Sequence, residues 1–169
     1  VITLDASKVT DTYSSIAIGN SGSNLLRVDK KGNLKPDLAK KVEVSSDGLT
    51  YTATLRNNLK WSDGSDLTAQ DIVYSWQRIV DPKTASEYAY LTQDAHLLNA
   101  DEVIAGKKPL SDLGVKAQGN KIIFTLSKPA PQFKNLLSFA NFVPQKKAFV
   151  DKTGDNYGTA SKYSLYSGP

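Results

Sequence analysis

Apolar and polar residues alternate most cleanly near the first third of the chain. Tyr51, Ala53 and Leu55 alternate with Thr52, Thr54 and Arg56, which predicts a strand with one buried face and one wet face. Residues 42–45 form a second strand candidate, and the Asp47-Gly48 pair between the two makes a hairpin the natural reading. The period then changes. Ile72, Val73, Trp76, Ile79 and Val80 recur at i, i+1, i+4, i+7 and i+8, a single apolar stripe at helical spacing. Thr68 stands where an N-cap belongs, and Asp71 three positions on nearly completes a capping box. Asp81-Pro82 ends the helix, because the proline ring disfavours α geometry at the residue before it. Asp63-Gly64 supplies the turn before the cap.

Elsewhere the pattern predicts shorter pieces. Residues 1–5 alternate as a strand. Residues 25–29 read as another, with Lys30-Lys31-Gly32-Asn33 as its turn. Residues 34–39 read as a loop holding at most one helical turn. Helices are expected over 89–98, from Asn99 to near Gly106, over 132–139 with Phe133, Leu136 and Leu137, and over 145–152. Residues 115–117 and 121–127 form a second hairpin around Gly119-Asn120, and adjacent Ile123 and Phe124 suggest burial on both faces. This order, with strands and helices segregated rather than regularly alternating, is α+β.

Composition narrows the function more by exclusion. The chain has 169 residues, 40% hydrophobic and 22% charged, as a globular domain does. It has no cysteine and a net charge of +4, with its lysines interleaved among acids, so nucleic-acid binding is disfavoured. His96 is the sole histidine, which leaves no Cys/His zinc set. No G-x-S-x-G elbow surrounds a serine, and no phosphate-cradling glycine motif occurs. Asp63, Asp66 and Asp71 cluster, yet turn and cap roles explain Asp63 and Asp71, and the spacing is not that of an EF-hand. No cofactor is implied, and an enzyme is the weaker class.

A resemblance carries the reading further. Trp61-Ser62-Asp63-Gly64, Thr68-Ala69-Gln70-Asp71, Val73-Tyr74-Ser75-Trp76-Gln77-Arg78 and Asp81-Pro82-Lys83-Thr84-Ala85-Ser86-Glu87-Tyr88 closely resemble, in that order, the family 5 solute-binding proteins, and among them the oligopeptide-binding proteins of bacterial ABC importers. Leu4-Asp5 looks like the family's opening L-D-P, with Ala6 for proline. Gly32 with Pro36-Asp37-Leu38-Ala39, the run from Ser46 to Arg56, Gly106-Lys107-Lys108-Pro109, Leu126-Ser127-Lys128-Pro129 and Ser167-Gly168-Pro169 also fit. The family's E-G-L before the first strand is replaced by Ser23-Asn24.

The resemblance implies an α+β fold, a mixed sheet with packed helices, forming part of a type II periplasmic-binding-protein-like receptor. Residues 1–24 would begin the peptide-binding lobe, 25–154 would be a small inserted subdomain, and 155–169 would return toward the lobe. The family members are longer, so the chain looks like an amino-terminal fragment lacking the opposite lobe. By register, Thr10, Asp11 and Thr12 would grip the ligand's main chain by backbone hydrogen bonds, and Tyr88 would face the ligand cavity with an apolar ring and a polar tip. Trp61, Trp76 and Tyr74, by contrast, read as core from the residues themselves, because their spacing follows the turn and the buried helix stripe. The expected partners are a peptide ligand and a membrane ABC permease. The setting would be the outer face of the cell membrane, reached through a lipid anchor outside this chain, or the periplasm. The protein would be a monomer and not an enzyme. Relatives that carry dipeptides, nickel complexes, haem or sugars set the first alternative, and a surface adhesion module the second.

Overall fold

The structure is a computed structural model, and it describes residues 5–8 and 22–159. Two antiparallel units of sheet run through it. The smaller is a hairpin of β1 (Leu26–Val28) and β2 (Leu34–Pro36), paired Leu26 to Pro36 and Val28 to Leu34. The larger has four strands, β3 (Ala39–Val44), β4 (Thr50–Leu55), β5 (Val115–Gln118) and β6 (Lys121–Thr125), in the order β3-β4-β6-β5. Among the described residues every strand pairing is antiparallel. The helices are α1 (Ala69–Val80), α2 (Tyr90–Asp94), α3 (Ala100–Ile104), α4 (Phe133–Leu136) and α5 (Lys147–Thr153). The α+β class holds, and the sheet expected to be mixed is antiparallel throughout the described residues.

The central helix forms for the reasons its sequence supplies. Thr68 Oγ1 accepts the Asp71 amide at 3.4 Å, and the Asp71 carboxylate accepts the Thr68 amide at 2.9 Å. The same carboxylate oxygen accepts Trp61 Nε1 at 3.1 Å, so the cap also ties the preceding turn to the helix. Arg78 lies in the last turn, where a cation suits the helix dipole. We expect Thr68→Ala to lower stability by about 1 kcal/mol, read as a shift in denaturant midpoint at constant slope; no shift would mean the cap is dispensable.

The stripe of α1 packs across β5 and β6. At its centre Trp76, 1% exposed, meets Phe124 at 5.0 Å between ring centroids, Phe133 at 5.7 Å and Phe142 at 4.4 Å. Tyr51, Ala53 and Leu55 fill the same core from β4, as the alternation predicts. Thr54, assigned by alternation to the wet face, is nevertheless buried. It stands between Lys41 and Lys121 in the register, whose long stems can cover a small neighbour. Ile123 is only half-buried, so β6 is not closed on both faces.

Three sequence readings are corrected. Residues 34–36 are a strand, not a loop. Their turn is fixed by Asp29 Oδ1, which accepts the Lys31 and Asn33 amides at 2.9 Å each, and Pro36 sits at a strand end, where a missing N–H is tolerated. The helix expected over 89–98 stops at Asp94, because His96 adopts φ 60° and Leu97 pairs with Leu126. There the Leu98 amide donates to Thr125 at 2.9 Å and the Ser127 amide to His96 at 2.8 Å, so pairing with β6 overrides local helix preference. The helix over 132–139 shrinks to α4, one turn.

Gly114 shows how tightly this corner closes. A Cβ there would lie 2.7 Å from the Thr125 carbonyl oxygen and 2.8 Å from Leu98 Cβ, distances that no side chain tolerates without backbone movement.

Candidate functional site

The run after α1 is a series of nested turns. The Asp81 amide caps the helix on the Gln77 carbonyl at 3.0 Å, and Asp81 Oδ1 accepts the Lys83 amide at 3.0 Å. The Thr84 amide closes back on the Asp81 carbonyl at 2.9 Å, Ala85 takes φ 53°, and Ser86 Oγ accepts the Tyr88 amide at 3.3 Å. These turns present Tyr88 half-buried, its ring stacked on Tyr90 at 6.4 Å and 29°. Tyr90 is 49% exposed. Tyr88 is thus no core tyrosine: it forms one half of an aromatic pair open to solvent, able to offer a flat apolar surface and a phenolic hydroxyl. Thr10, Asp11 and Thr12 lie outside the described residues.

A second constellation, which sequence reasoning missed, surrounds Arg78. Its guanidinium makes a two-pronged bond to Asp5, Nη1 to Oδ1 at 2.5 Å and Nη2 to Oδ2 at 2.7 Å. Gln145 Oε1 accepts Nη1 at 2.9 Å. Burial pulls the Arg78 pKa down, but the hydrogen bonds and charge of Asp5 outweigh it and leave the group above its ordinary value. The Tyr157 ring lies 5.2 Å from the guanidinium carbon, a cation–π contact. Asp5 and Arg78 stand 73 positions apart, and no local spacing links them. Only the quoted resemblance motifs contain both.

Two cavities flank this group. One, of about 670 Å³, is lined by Asp5, Lys8, Asp151, Asp155 and Tyr157 among others. The other, of about 500 Å³, runs along the outer side of α1 past Tyr74, Gln77, Asp81, Thr84 and Lys147. Tyr88 lines neither. Tyr74, expected in the core with Trp61 and Trp76, is half-buried in this second groove, while both tryptophans are buried. Position 74 falls off the apolar stripe of α1, which explains the difference. Burial raises the Tyr74 pKa, with Asp151 and Asp5 adding to the rise and Arg78 opposing it. His96 serves the backbone: its carbonyl accepts the amide of Ser127.

Known proteins resemble this chain in sequence and in fold. The family model described as bacterial extracellular solute-binding proteins, family 5 (middle), matches residues 33–169. A dipeptide-binding protein of Lactococcus lactis is 50% identical over 100% of the chain, which covers 30% of that relative. The periplasmic oligopeptide-binding protein OppA of Salmonella typhimurium is 44% identical over 93% of the chain, which covers 29% of it. Among solved structures, the substrate-binding domain of an oligopeptide ABC transporter from Bacillus anthracis superposes with a TM-score of 0.95 at 41% identity, over 100% of this chain and 32% of that one. A Listeria monocytogenes OppA solved with bound peptide gives 0.94 at 35% identity, over 100% of this chain and 33% of that one. The chain therefore spans about 30% of the length of the curated relatives it matches. On the family match and on a fold shared from one end to the other, this chain belongs to the bacterial extracellular solute-binding proteins of family 5.

Proposed function

We propose that the chain is the amino-terminal portion of an extracytoplasmic receptor that captures oligopeptides and delivers them to a membrane ABC permease. The observation that carries this reading is the match, over the full chain, to a peptide-bound OppA of Listeria at a TM-score of 0.94. In this reading residues 1–24 and 155–169 belong to the peptide-binding lobe, and 25–154 form the inserted subdomain. Thr10, Asp11 and Thr12 bond the ligand's main chain as an added strand would, which tolerates varied side chains. Tyr88 supplies a wall of the ligand cavity of the full-length receptor, distinct from the two grooves beside Arg78. The receptor works as a monomer held at the outer membrane face by a lipid anchor, or free in the periplasm, and it catalyses no reaction. Ligand favours the closed state because it touches both lobes.

A second reading shortens the ligand. The relative at 50% identity is named a dipeptide-binding protein, and the same main-chain chemistry would hold two residues.

Calorimetry with peptides of two to six residues tests both. We expect a chain of the relatives' full length to bind a favoured length with Kd about 1 μM or tighter, and the present chain alone to bind far more weakly, since half the contacts are missing. Tyr88→Ala should weaken binding roughly tenfold, and Tyr88→Phe less, if the ring contributes more than the hydroxyl. Micromolar binding by the present chain alone would overturn the two-lobe account, and an unchanged Kd for Tyr88→Ala would remove that residue from the site.

A further inference from the structure

Four segments far apart in sequence converge on Arg78. The first is the turn at residues 5–8, where Asp5, Ala6 and Ser7 are all at most 2% exposed. The second is α1 itself. The third is the stretch around Gln145: its side chain donates to Ser7 Oγ at 2.8 Å, and its amide to Ser75 Oγ at 2.6 Å. Just before it, Asn141 Nδ2 donates to the Ala6 carbonyl at 3.2 Å, and Val143 packs on Ala6. The fourth is the turn at Tyr157-Gly158, where a Cβ on Gly158 would come within 2.4 Å of the Asp5 amide nitrogen. The incoming and outgoing backbones thus touch each other directly, and Arg78 is bonded to the first and lies against the ring of the second.

We infer that Arg78 is a positioning residue that clamps these two backbone segments into one joint, so that the inserted subdomain and the lobe it interrupts act as a single body. The carboxylate of Asp5 is shared within this joint: Oδ1 accepts both Arg78 Nη1 at 2.5 Å and the Ser7 amide at 3.1 Å. The guanidinium fits because its planar fork reaches both Asp5 oxygens and Gln145 while its face lies over Tyr157. A lysine is a point charge and cannot hold all four at once. Residues 10–12 follow the clamped turn closely in sequence. If they grip the ligand as proposed above, the joint fixes where that grip begins. This consequence for affinity, and the names lobe and inserted subdomain, rest on the reading proposed above; the convergence of the four segments on Arg78 does not.

Amide hydrogen exchange on the present chain, without ligand, tests the joint. The Ser7 amide should be protected in the unaltered chain. In Arg78→Lys, exchange at Ser7, Lys8 and Tyr157 should speed by about tenfold, the loss expected of a charge-assisted hydrogen bond, while Thr52 and Ile123 in the sheet keep their rates. Gly158→Ala disturbs the joint from the outgoing side without altering a charge, and it should speed the same amides, Ser7 included. An unprotected Ser7 in the unaltered chain would overturn the inference. So would equal acceleration of all amides in both variants, or a Gly158→Ala effect confined to its own turn. In a chain of the relatives' full length, Arg78→Lys should weaken peptide binding roughly tenfold; an unchanged Kd would overturn the positioning role. If the unaltered protein binds no peptide at all, the peptide-binding reading fails, and the exchange data still judge the joint.

Discussion

Trp76→Ala is expected to lower the unfolding free energy by about 3–5 kcal/mol, the range for truncating a large buried aromatic residue. Three phenylalanine rings lie within 5.7 Å of the Trp76 ring, one each from β6, α4 and the 3-10 turn at Ala140–Phe142. Their positions are fixed by separate backbone elements, so they cannot easily collapse into the hole. A domain of this size has roughly 5–15 kcal/mol in total, so the variant should sit near the edge of folding. Denaturant unfolding followed by circular dichroism gives the number, and Trp61, the remaining tryptophan, reports the same transition by fluorescence. A loss below about 1 kcal/mol would mean that the aromatic cluster does not organise the core.

The second large effect concerns the ion pair at the joint. Asp5→Ala and Arg78→Ala should each cost about 3–5 kcal/mol, because either change leaves the other charge buried without its partner. The side chains are 3% and 12% exposed, too little for water to take over. The double variant should cost less than the sum of the singles, since it leaves no lone charge, and the difference measures the coupling. By contrast the Lys147–Asp151 pair, 65% and 59% exposed at i,i+4, should contribute no more than a few tenths of a kcal/mol. Single-variant losses of that small size at Asp5 and Arg78 would show that the joint is solvated and does not hold the segments together.

The two pairs also mark what can be read from sequence. Interactions between near neighbours leave a pattern: the Thr68–Asp71 cap, the stripe of α1 and the Asp-Gly hairpin at Asp47-Gly48 were all legible, because each is fixed within a few residues. So was the class of fold. Where a distant partner decides the backbone, the pattern misleads. Residues 96–98 leave the helix because the chain from Thr125 to Ser127, at and just past the end of β6, pairs with them, and residues 34–36 are strand because β1 lies beside them. Tyr74 reads as core when it is counted with the helix stripe, yet its position lies just off that stripe and it is only half-buried. The candidate site residues are proposed only through resemblance. Nothing local in Tyr88 separates a cavity wall from a core residue; its exposure beside Tyr90 is what tertiary structure adds. The Asp5–Arg78–Gln145 group has no local signal at all, for its members come together only when the chain folds.

One measurement bears most directly on the central claim, which is that this chain helps to hold a peptide by its main chain. Calorimetry should compare a short peptide with the same peptide N-methylated along its backbone, each titrated into a chain of the relatives' full length. Main-chain recognition predicts that the plain peptide binds at about 1 μM or tighter, that changing its side chains matters little, and that N-methylation weakens binding by about a hundredfold, as two lost hydrogen bonds would. Equal affinity for the two peptides, or binding of neither, would contradict it.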